Sequence, residues 1–141
     1  MLIQLAHPST SNPFADPNRD IAAHLNVAPR VQSIFNRSCD DCHSNRTVWP
    51  WYSHVAPVSW LVAYDVNHGR RHVNFSEWEA YPPDKASRLL DEICREIQDG
   101  DMPPFQYRPM HAASGLTPAD KQQVCEWTAN TKRTLSAGGA Q

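Results

Sequence analysis

Apolar residues recur at helical spacing in four segments of the chain. The first, third and fourth segments are residues 29–38, 84–99 and 118–135. The second starts at residue 57 and ends at about residue 68 or 71. The first and last open with proline at the first helical position, and Thr117 provides an N-cap for the last. No segment shows the alternation that is typical of a strand. The sequence therefore predicts an all-α protein of about four helices joined by long ordered loops.

The second and third segments carry the clearest helical faces. In the second segment, Trp60, Leu61 and Tyr64 fall on one face. The third segment has apolar residues at positions i, i+1, i+4 and i+8, starting from Leu89, and it ends at Gly100. A glycine at this position is a favourable C-terminal cap.

The composition is that of one modest folded domain. The chain has 141 residues, 40% of them hydrophobic, and 13 basic and 15 acidic residues give a formal net charge of −2. Neither charge forms a long run, so nothing favours binding to nucleic acid or to an anionic membrane. No apolar stretch approaches the ~20 residues that a membrane-spanning helix needs. Residues 1–5 are too short for a signal-peptide core, so either the protein is cytosolic or an export signal lies outside this numbering.

Three side chains with ligand chemistry stand within five positions at the end of the first predicted helix. Cys39, Cys42 and His43 form the pattern C-x-x-C-H. Two thiols at this spacing can each add to one vinyl group of a haem, and the adjacent histidine then binds the iron as an axial ligand. The pattern predicts one covalently attached haem c.

Two other kinds of site use the same side chains. A structural zinc site needs four ligands at paired spacings, but Cys94 and Cys125 each stand without a neighbouring ligand. A thioredoxin-like dithiol needs a preceding strand and a βαβ surround, and neither is predicted. The haem interpretation is favoured over both.

An iron with both axial positions filled needs a second ligand, usually Met or His. Met102 follows the cap of the third predicted helix and precedes two prolines, which would hold its flexible thioether in place. Methionine is also a common core filler, but with C-x-x-C-H upstream we predict that Met102 is the sixth ligand. The weaker candidates are Met110, His54, His68, His72 and His111.

The order of these motifs resembles that of class I cytochromes c. C-x-x-C-H is followed by a Met-Pro loop and by a Thr-Pro-capped terminal helix. More closely, CDDCHSNRTVWPWYSHVAPVSWLVAYDVNHGRRHVNFSEW resembles the bacterial haem-binding domain family of single-haem c-type proteins. That family combines C-x-x-C-H-S-N with Trp-Pro-Trp-Tyr, Pro-Val-Ser-Trp-Leu and a later Met-Pro-Pro loop. The resemblance covers roughly residues 12–128.

The resemblance implies a periplasmic haem protein with a signal or membrane anchor upstream of residue 1. Residues 2–14 are similar to the segment that follows such an anchor. On this interpretation, residues 1–26 are an irregular N-terminal segment, residues 27–135 are the haem c domain, and residues 136–141 are a flexible tail.

Cys94 and Cys125 lie on two different predicted helices. Haem c is attached outside the cytoplasm, where disulfides also persist. A disulfide between them would close a loop of about 30 residues and contribute on the order of 3–4 kcal/mol. Two buried free thiols are the alternative, and the compartment favours the disulfide.

Aromatic and basic residues provide candidates for contacts with the haem. The candidate wall residues are Trp49, Trp51, Tyr52, Trp60 and Trp78. Core packing would explain most of these residues equally well. Propionate groups could be bound by their polar hydrogens, or by Arg46, Arg70 or Arg71, although arginine is more often simply solvated.

Two expectations concern the immediate surroundings of His43. Its second ring N–H should bond a backbone carbonyl, which orients the ring, and residues 49–57 are the expected source. Asp40 and Asp41 occupy the two spacer positions of the motif and are expected to be solvated.

These features predict an electron carrier rather than an enzyme, because His43 and Met102 would fill both axial positions and no catalytic residue is needed. Its partners would be redox proteins or a membrane-bound respiratory or photosynthetic complex, with no nucleic acid. One alternative is a haem-based peroxidase or gas sensor with a displaceable sixth ligand and His111 or His54 as a polar distal group. Another is a haem-bearing structural subunit of a membrane complex.

Overall fold

Helices and their connecting loops make up the described part of the chain. The structure is a computed structural model that describes residues 7–138. Its α-helices are α1 (Ile21–His24), α2 (Pro29–Ser38), α3 (Asp40–His43), α4 (Val58–His72), α5 (Pro83–Asp99) and α6 (Pro118–Gly138). Short 3-10 helices span Trp51–His54, Phe75–Ala80, Arg108–Met110 and Ala112–Ser114. The described residues contain no strand, and the all-α prediction is confirmed.

Four of these helices, α2, α4, α5 and α6, correspond to the four predicted ones, and local signals set their ends. Thr117 Oγ1 accepts the Asp120 N–H at 3.1 Å, and Asp120 Oδ2 accepts the Thr117 N–H at 3.0 Å. This reciprocal pair satisfies two amides at the start of α6. Gly100 ends α5 with a φ of 86°, a left-handed conformation that lacks a steric penalty only for glycine. α6 continues past the predicted end at Leu135, and tail residues 139–141 lie outside the described part of the chain.

The segment before α2 contributes to the core although most of it is irregular. Residues 7–20 form no α-helix, and the predicted irregular residues 1–6 lie outside the described residues. The short helix α1 was not predicted; the Asp20 carboxylate caps it by accepting the Ala22 N–H at 3.0 Å. Ile21 and Leu25 are buried in the core, so this segment is packed against the domain.

The core joins α2, α5 and α6 with the 3-10 segment at residues 75–80. Phe35 is stacked on Phe75 with ring centroids 4.8 Å apart, and it meets the Trp127 ring edge-to-face at 5.5 Å. Trp127 also donates its indole N–H to the Asn26 carbonyl at 2.9 Å. The aromatic cluster therefore ties the two ends of the chain to one core.

The face of α4 that the apolar pattern indicated is the exposed one. Trp60, Leu61 and Tyr64 are 38%, 48% and 59% exposed. The buried face consists of Ser59, Ala63, Val66 and Gly69. Small side chains allow α4 to approach α3 closely: a Cβ on Gly69 would lie 2.4 Å from the Cys42 carbonyl oxygen. Backbone proximity, rather than side-chain hydrophobicity, selects the buried face here.

The predicted disulfide between Cys94 and Cys125 is present and joins α5 to α6, with Cα atoms 4.9 Å apart. α5 packs on α6, α3 packs on α4, and α2 contacts both α3 and α6. Among the described residues, no helix is both long and apolar enough to cross a bilayer.

Candidate functional site

An apolar cavity of about 400 Å³ lies between the α3–α4 pair and α5 with the loop that follows it. Its volume lies within the range of small-molecule sites. Its apolar lining includes Val73, Phe75, Leu89, Ile93 and Ile97. Ser38, at the end of α2, also borders it. The cavity is therefore a site for a largely apolar ligand.

Cys39, Cys42 and His43 all line this cavity. Cys39 ends α2, where its N–H bonds the Phe35 carbonyl at 2.9 Å. The chain then turns into the single turn of α3, in which the Cys42 and His43 N–H groups both bond the Cys39 carbonyl, at 3.1 and 3.0 Å. One turn of helix thus places all three side chains at the same surface, as their spacing predicts.

Both cavity thiols have strongly raised pKa values. Burial, the neighbouring Asp40 carboxylate and the Cys42 thiol raise the pKa of Cys39 to about 12, because each disfavours a thiolate. Burial, followed by Asp41 and Asp65, raises the pKa of Cys42 to about 12. The two sulfurs are not bonded to each other. They are therefore neutral thiols at physiological pH, unlike the thiolates of zinc sites and reactive dithiols.

His43 is oriented by the end of α4. Its Nδ1 lies 3.0 Å from the Val73 carbonyl oxygen, so the expected backbone partner exists. The expectation that residues 49–57 supply this carbonyl was wrong. Because α3 packs on α4, the carbonyl next to His43 is that of Val73, at the end of α4. Burial lowers the pKa of His43, while its bonds to Val73 and Gly69 oppose that shift. A neutral imidazole held at Nδ1 presents Nε2 as a ligand atom.

Met102 lines the same cavity from the other side of the fold. The N–H groups of Asp101 and Met102 both bond the Glu96 carbonyl, at 3.0 and 3.2 Å, and so continue the cap that Gly100 begins. Arg108 donates to the carbonyls of Gly100 and Pro103, each at 2.9 Å, on either side of Met102. We call residues 100–108 the Met102 loop. Its backbone is fixed before and after the methionine.

Comparison with protein families addresses what such a cavity binds. Residues 1–130 match the family model described as "Haem-binding domain". The chain belongs to the haem-binding domain family. No curated protein and no solved structure matches it. The protein is therefore a haem protein, as the resemblance implied.

The residues of the cavity fit a haem. Two neutral thiols and an imidazole lie on α2–α3, a thioether lies in the Met102 loop, and apolar side chains fill the surface between them. This set matches the needs of a flat apolar ring with an iron at its centre. The described residues contain no cluster of three or more His, Cys, Asp or Glu that could hold a metal ion directly.

The weaker candidates for the sixth ligand divide into two groups. Met110 is 57% exposed, and neither it nor His54 or His111 is among the residues that line the cavity. His68 and His72 do line it, from α4. Their rings are stacked on each other with centroids 5.9 Å apart. Together with His43, these are the basic side chains among the described residues that line the cavity, which also has the carboxylates of Asp41, Asp65, Glu92 and Glu96.

None of the predicted aromatic wall residues lines the cavity. Trp49 donates its indole N–H to Asn12 Oδ1 at 3.0 Å, and Trp51 is 73% exposed. Trp60 lies on the exposed face of α4, and Trp78 is buried in the core against Tyr81. The Tyr52 hydroxyl lies 3.4 Å from the His111 ring nitrogens. The lining instead combines aliphatic side chains with Phe75 and Tyr107.

The arginines suggested for propionate binding have other partners or lie elsewhere. Arg46 pairs with Asp20 at 2.6 Å and with Asp40 at 3.6 Å. Arg70 donates to the Ser44 carbonyl at 2.8 Å and to the side chains of Asn12 and Thr47. Arg71 is exposed and does not line the haem cavity. None of the three is among the residues that line the cavity, and Arg70 binds the loop that follows the motif.

The expectation that the spacer residues are solvated was wrong. Asp40 is buried, and burial raises the pKa of its carboxyl group against the opposing effect of Arg46. Asp41 accepts the Tyr107 hydroxyl at 2.6 Å with Oδ2 and the Val48 N–H at 3.0 Å with Oδ1. Sequence reasoning missed Tyr107 as a cavity residue. Its position shortly after the Met-Pro-Pro loop was the available signal, but its partner lies 66 positions away.

Proposed function

We propose that the protein is a periplasmic single-haem c-type cytochrome with a class I-like arrangement that carries single electrons. The observation that carries this proposal is the shared cavity: Cys39, Cys42, His43 and Met102, which come from two distant parts of the sequence, all line it. A thioether and an imidazole are the usual axial pair of such carriers.

Covalent attachment would use the two thiols. Each S–H would add across one vinyl C=C of a haem, forming an S–C bond and passing its hydrogen to the other vinyl carbon, with no oxidant required. The raised pKa values favour the thiol form of Cys39 and Cys42. After attachment, the haem can be retained by a cavity with an open mouth.

When bound, haem supplies an iron that accepts and releases one electron. The protein's part is to keep the ligand positions unchanged during that step. His43 is fixed through Nδ1 by Val73, and Met102 is fixed by the cap of α5 and by Arg108. The apolar side chains of α5 would shield part of the haem from water, and burial is one of the factors that set a haem's reduction potential.

A carrier role is supported over a peroxidase or sensor by the location of the polar candidates. His54 and His111 do not line the cavity, and His111 is instead stacked on Tyr107 at 3.8 Å.

A redox protein or a membrane-bound respiratory or photosynthetic complex would be the partner, with a signal or anchor upstream of residue 1. Location is tested by fractionating cells that express the full-length gene product; retention in the cytoplasm would reject the periplasmic assignment.

The decisive experiment is an absorption spectrum of the oxidised and reduced protein, produced together with the haem-attachment machinery. We expect a low-spin spectrum with the weak red band of Met–ferric-haem ligation. Met102→Ala should abolish this band, whereas Met110→Ala, which changes an exposed methionine outside the cavity, should retain it. A band that persists in Met102→Ala would reject Met102 and indicate another methionine, whereas a low-spin wild-type spectrum without the band would direct attention to His68 and His72.

Covalent attachment is tested separately by denaturing the protein and extracting free haem. The wild type should keep its haem after denaturation, and the double variant Cys39→Ser/Cys42→Ser should release it. Release from the wild type would reject the c-type assignment while leaving haem binding intact.

A further inference from the structure

Few side chains connect the Met102 loop to the α3–α4 side of the cavity. Arg108 bonds only within its own loop, to Gly100 and Pro103. Tyr107 reaches across: its hydroxyl donates to Asp41 Oδ2 at 2.6 Å. Gln106 also bonds the Asp65 side chain on α4. Tyr107 therefore links the segment that carries Met102 directly to the C-x-x-C-H turn.

The acceptor of this bond is held in place. Asp41 Oδ1 accepts the Val48 N–H at 3.0 Å, which leaves Oδ2 directed at Tyr107. The Asp41 carbonyl accepts the Thr47 hydroxyl at 2.6 Å. Both the side chain and the backbone of Asp41 are thus fixed by bonds that do not involve the Met102 loop. An acceptor that is already oriented loses little entropy when the bond forms.

The donor is held equally well. The Tyr107 ring is stacked on His111 with centroids 3.8 Å apart and an interplanar angle of 9°, and His111 Nδ1 bonds the Tyr107 carbonyl at 3.1 Å. Tyr52 meets the other side of His111 edge-to-face at 6.2 Å. Tyr107 itself is only half-buried and borders the cavity. Its ring cannot turn away from Asp41 without breaking the stack.

We propose that the Tyr107–Asp41 hydrogen bond is a latch that holds the Met102 loop closed over the cavity, and that Tyr107 is a positioning residue for the sixth ligand. This inference rests on the proposed His43–Met102 ligation. The bond is a short one to a carboxylate, of the stronger class of hydrogen bonds. Apart from the Gln106–Asp65 bond, the loop is otherwise bound to itself and to α5, so the latch contributes to how readily the thioether leaves its position.

The test is Tyr107→Phe, which keeps the ring and its stack on His111 and removes only the hydroxyl. Tyr64→Phe is the matched control, because Tyr64 lies on the exposed face of α4 and does not line the cavity. The readout is the affinity of ferric protein for imidazole, which competes with Met102 for the iron. We expect Tyr107→Phe to bind imidazole about tenfold more tightly, as the loss of a hydrogen bond to a charged group predicts. Tyr64→Phe should match the wild type.

A double-mutant cycle with Asp41→Ala separates the latch from general destabilisation. If the two residues act through one bond, Tyr107→Phe should change imidazole affinity little when Asp41 is already Ala. Additive effects of the two substitutions would overturn the latch. Thermal unfolding of each variant identifies any change that comes from loss of fold.

The outcomes for the latch and for the proposed function are distinct. A wild-type spectrum without Met–ferric-haem ligation rejects the proposed axial pair, and the latch with it. A wild-type spectrum with that band, together with equal imidazole affinities for Tyr107→Phe and Tyr64→Phe, rejects the latch alone. The red band should also weaken in Tyr107→Phe and remain in Tyr64→Phe.

Discussion

The α3–α4 side of the cavity is held by backbone contact, whereas the Met102 loop is held by side-chain hydrogen bonds. On the first side, the Gly69 Cα lies against the Cys42 backbone with no room for a Cβ, and His43 bonds the Val73 carbonyl. On the second, Arg108 and Tyr107 provide the fixing contacts. A tightly packed backbone contact has no room for an added atom. A loop held by hydrogen bonds instead loses stability step by step as each bond is removed.

This difference suits a site whose two ligands have different tasks. In the proposed cytochrome, the α3–α4 side would present two thiols and an imidazole in one arrangement for haem attachment. The Met102 loop would supply the second axial ligand. A rigid side and a separately held loop meet both needs, and substitutions on the two sides should have different effects.

The largest expected effect comes from removing the disulfide that anchors the Met102 side to α6. Cys94→Ser/Cys125→Ser should lower the free energy of unfolding by about 3–4 kcal/mol, because the unfolded chain loses a crosslink across some thirty residues. Denaturant unfolding measures this loss. The spectrum of the folded variant should still report attached haem, since α3 and α4 carry neither cysteine. Loss of attachment would show that the two sides are not independent.

The rigid side is tested by Gly69→Ala. The new Cβ would lie 2.4 Å from a backbone oxygen that cannot move alone, so we expect a loss of about 2–3 kcal/mol in the free energy of unfolding and poor haem attachment. Gly115→Ala is the control, because a Cβ there has no neighbour within 4 Å. Equal stability of the two variants would contradict the close packing of α4 on α3.

A pH experiment tests the ion pair that joins α6 to α2. Asp120 pairs with Arg37 at 2.7 Å and accepts two bonds from Thr117; these interactions outweigh the opposing effect of burial and lower the pKa of Asp120. A carboxyl group with a lowered pKa stabilises the fold above its unfolded pKa of about 3.9, and this contribution disappears as the pH falls through the folded value.

Asp120→Asn should therefore cost about 2 kcal/mol at pH 7 and progressively less below pH 4, when measured by denaturant unfolding across the pH range. Asp84→Asn changes an exposed carboxylate paired with Arg88 in the same helix and should leave stability at pH 7 unchanged within error. A constant difference between Asp120→Asn and wild type at all pH values would rule out the titration of Asp120 as the cause.

The smallest effect is expected at the local clamp of the Met102 loop. Arg108→Ala removes two bonds from an exposed side chain and should cost about 0.5–1 kcal/mol. Hydrogen exchange of the Met102 amide should become faster, with exchange in α3 unchanged. Arg88→Ala, which removes an exposed arginine of α5, should not affect the Met102 amide. Faster exchange in α3 as well would mean that the clamp stabilises more than its own loop.

Local signals were sufficient for the helices and for the residues of the haem motif. Pro29, the Thr117–Pro118 pair and Gly100 act within a few residues of themselves, and the structure places helix ends at each of them. The C-x-x-C-H spacing is likewise a property of one turn. Because these interactions span four residues or fewer, a single sequence contains everything that they depend on.

The orientation of the aromatic residues could not be predicted in the same way. Trp51 and Trp60 are of a residue type that often lines a pocket, yet both are exposed. Their positions depend on how the 3-10 segment at residues 51–54 and α4 pack against the other helices. On α4, hydrophobicity indicated one face, but Gly69 required the other to be buried. Hydrophobic side chains and small residues that allow close backbone contact favour burial of different faces. For α4, the close backbone contact determined which face is buried.

The sequence by itself determined the helical class, the helix ends at Pro29, Gly100 and Pro118, and the spacing that puts Cys39, Cys42 and His43 on one surface, because each rests on neighbours within a turn or two of helix. Only the tertiary structure decided which carbonyl orients His43, which face of α4 is buried, and which residue secures the Met102 loop. Val73 is 30 positions from His43, and Tyr107 is 66 positions from Asp41. Contacts at such separations depend on how whole helices pack, and no local pattern in the chain contains that information.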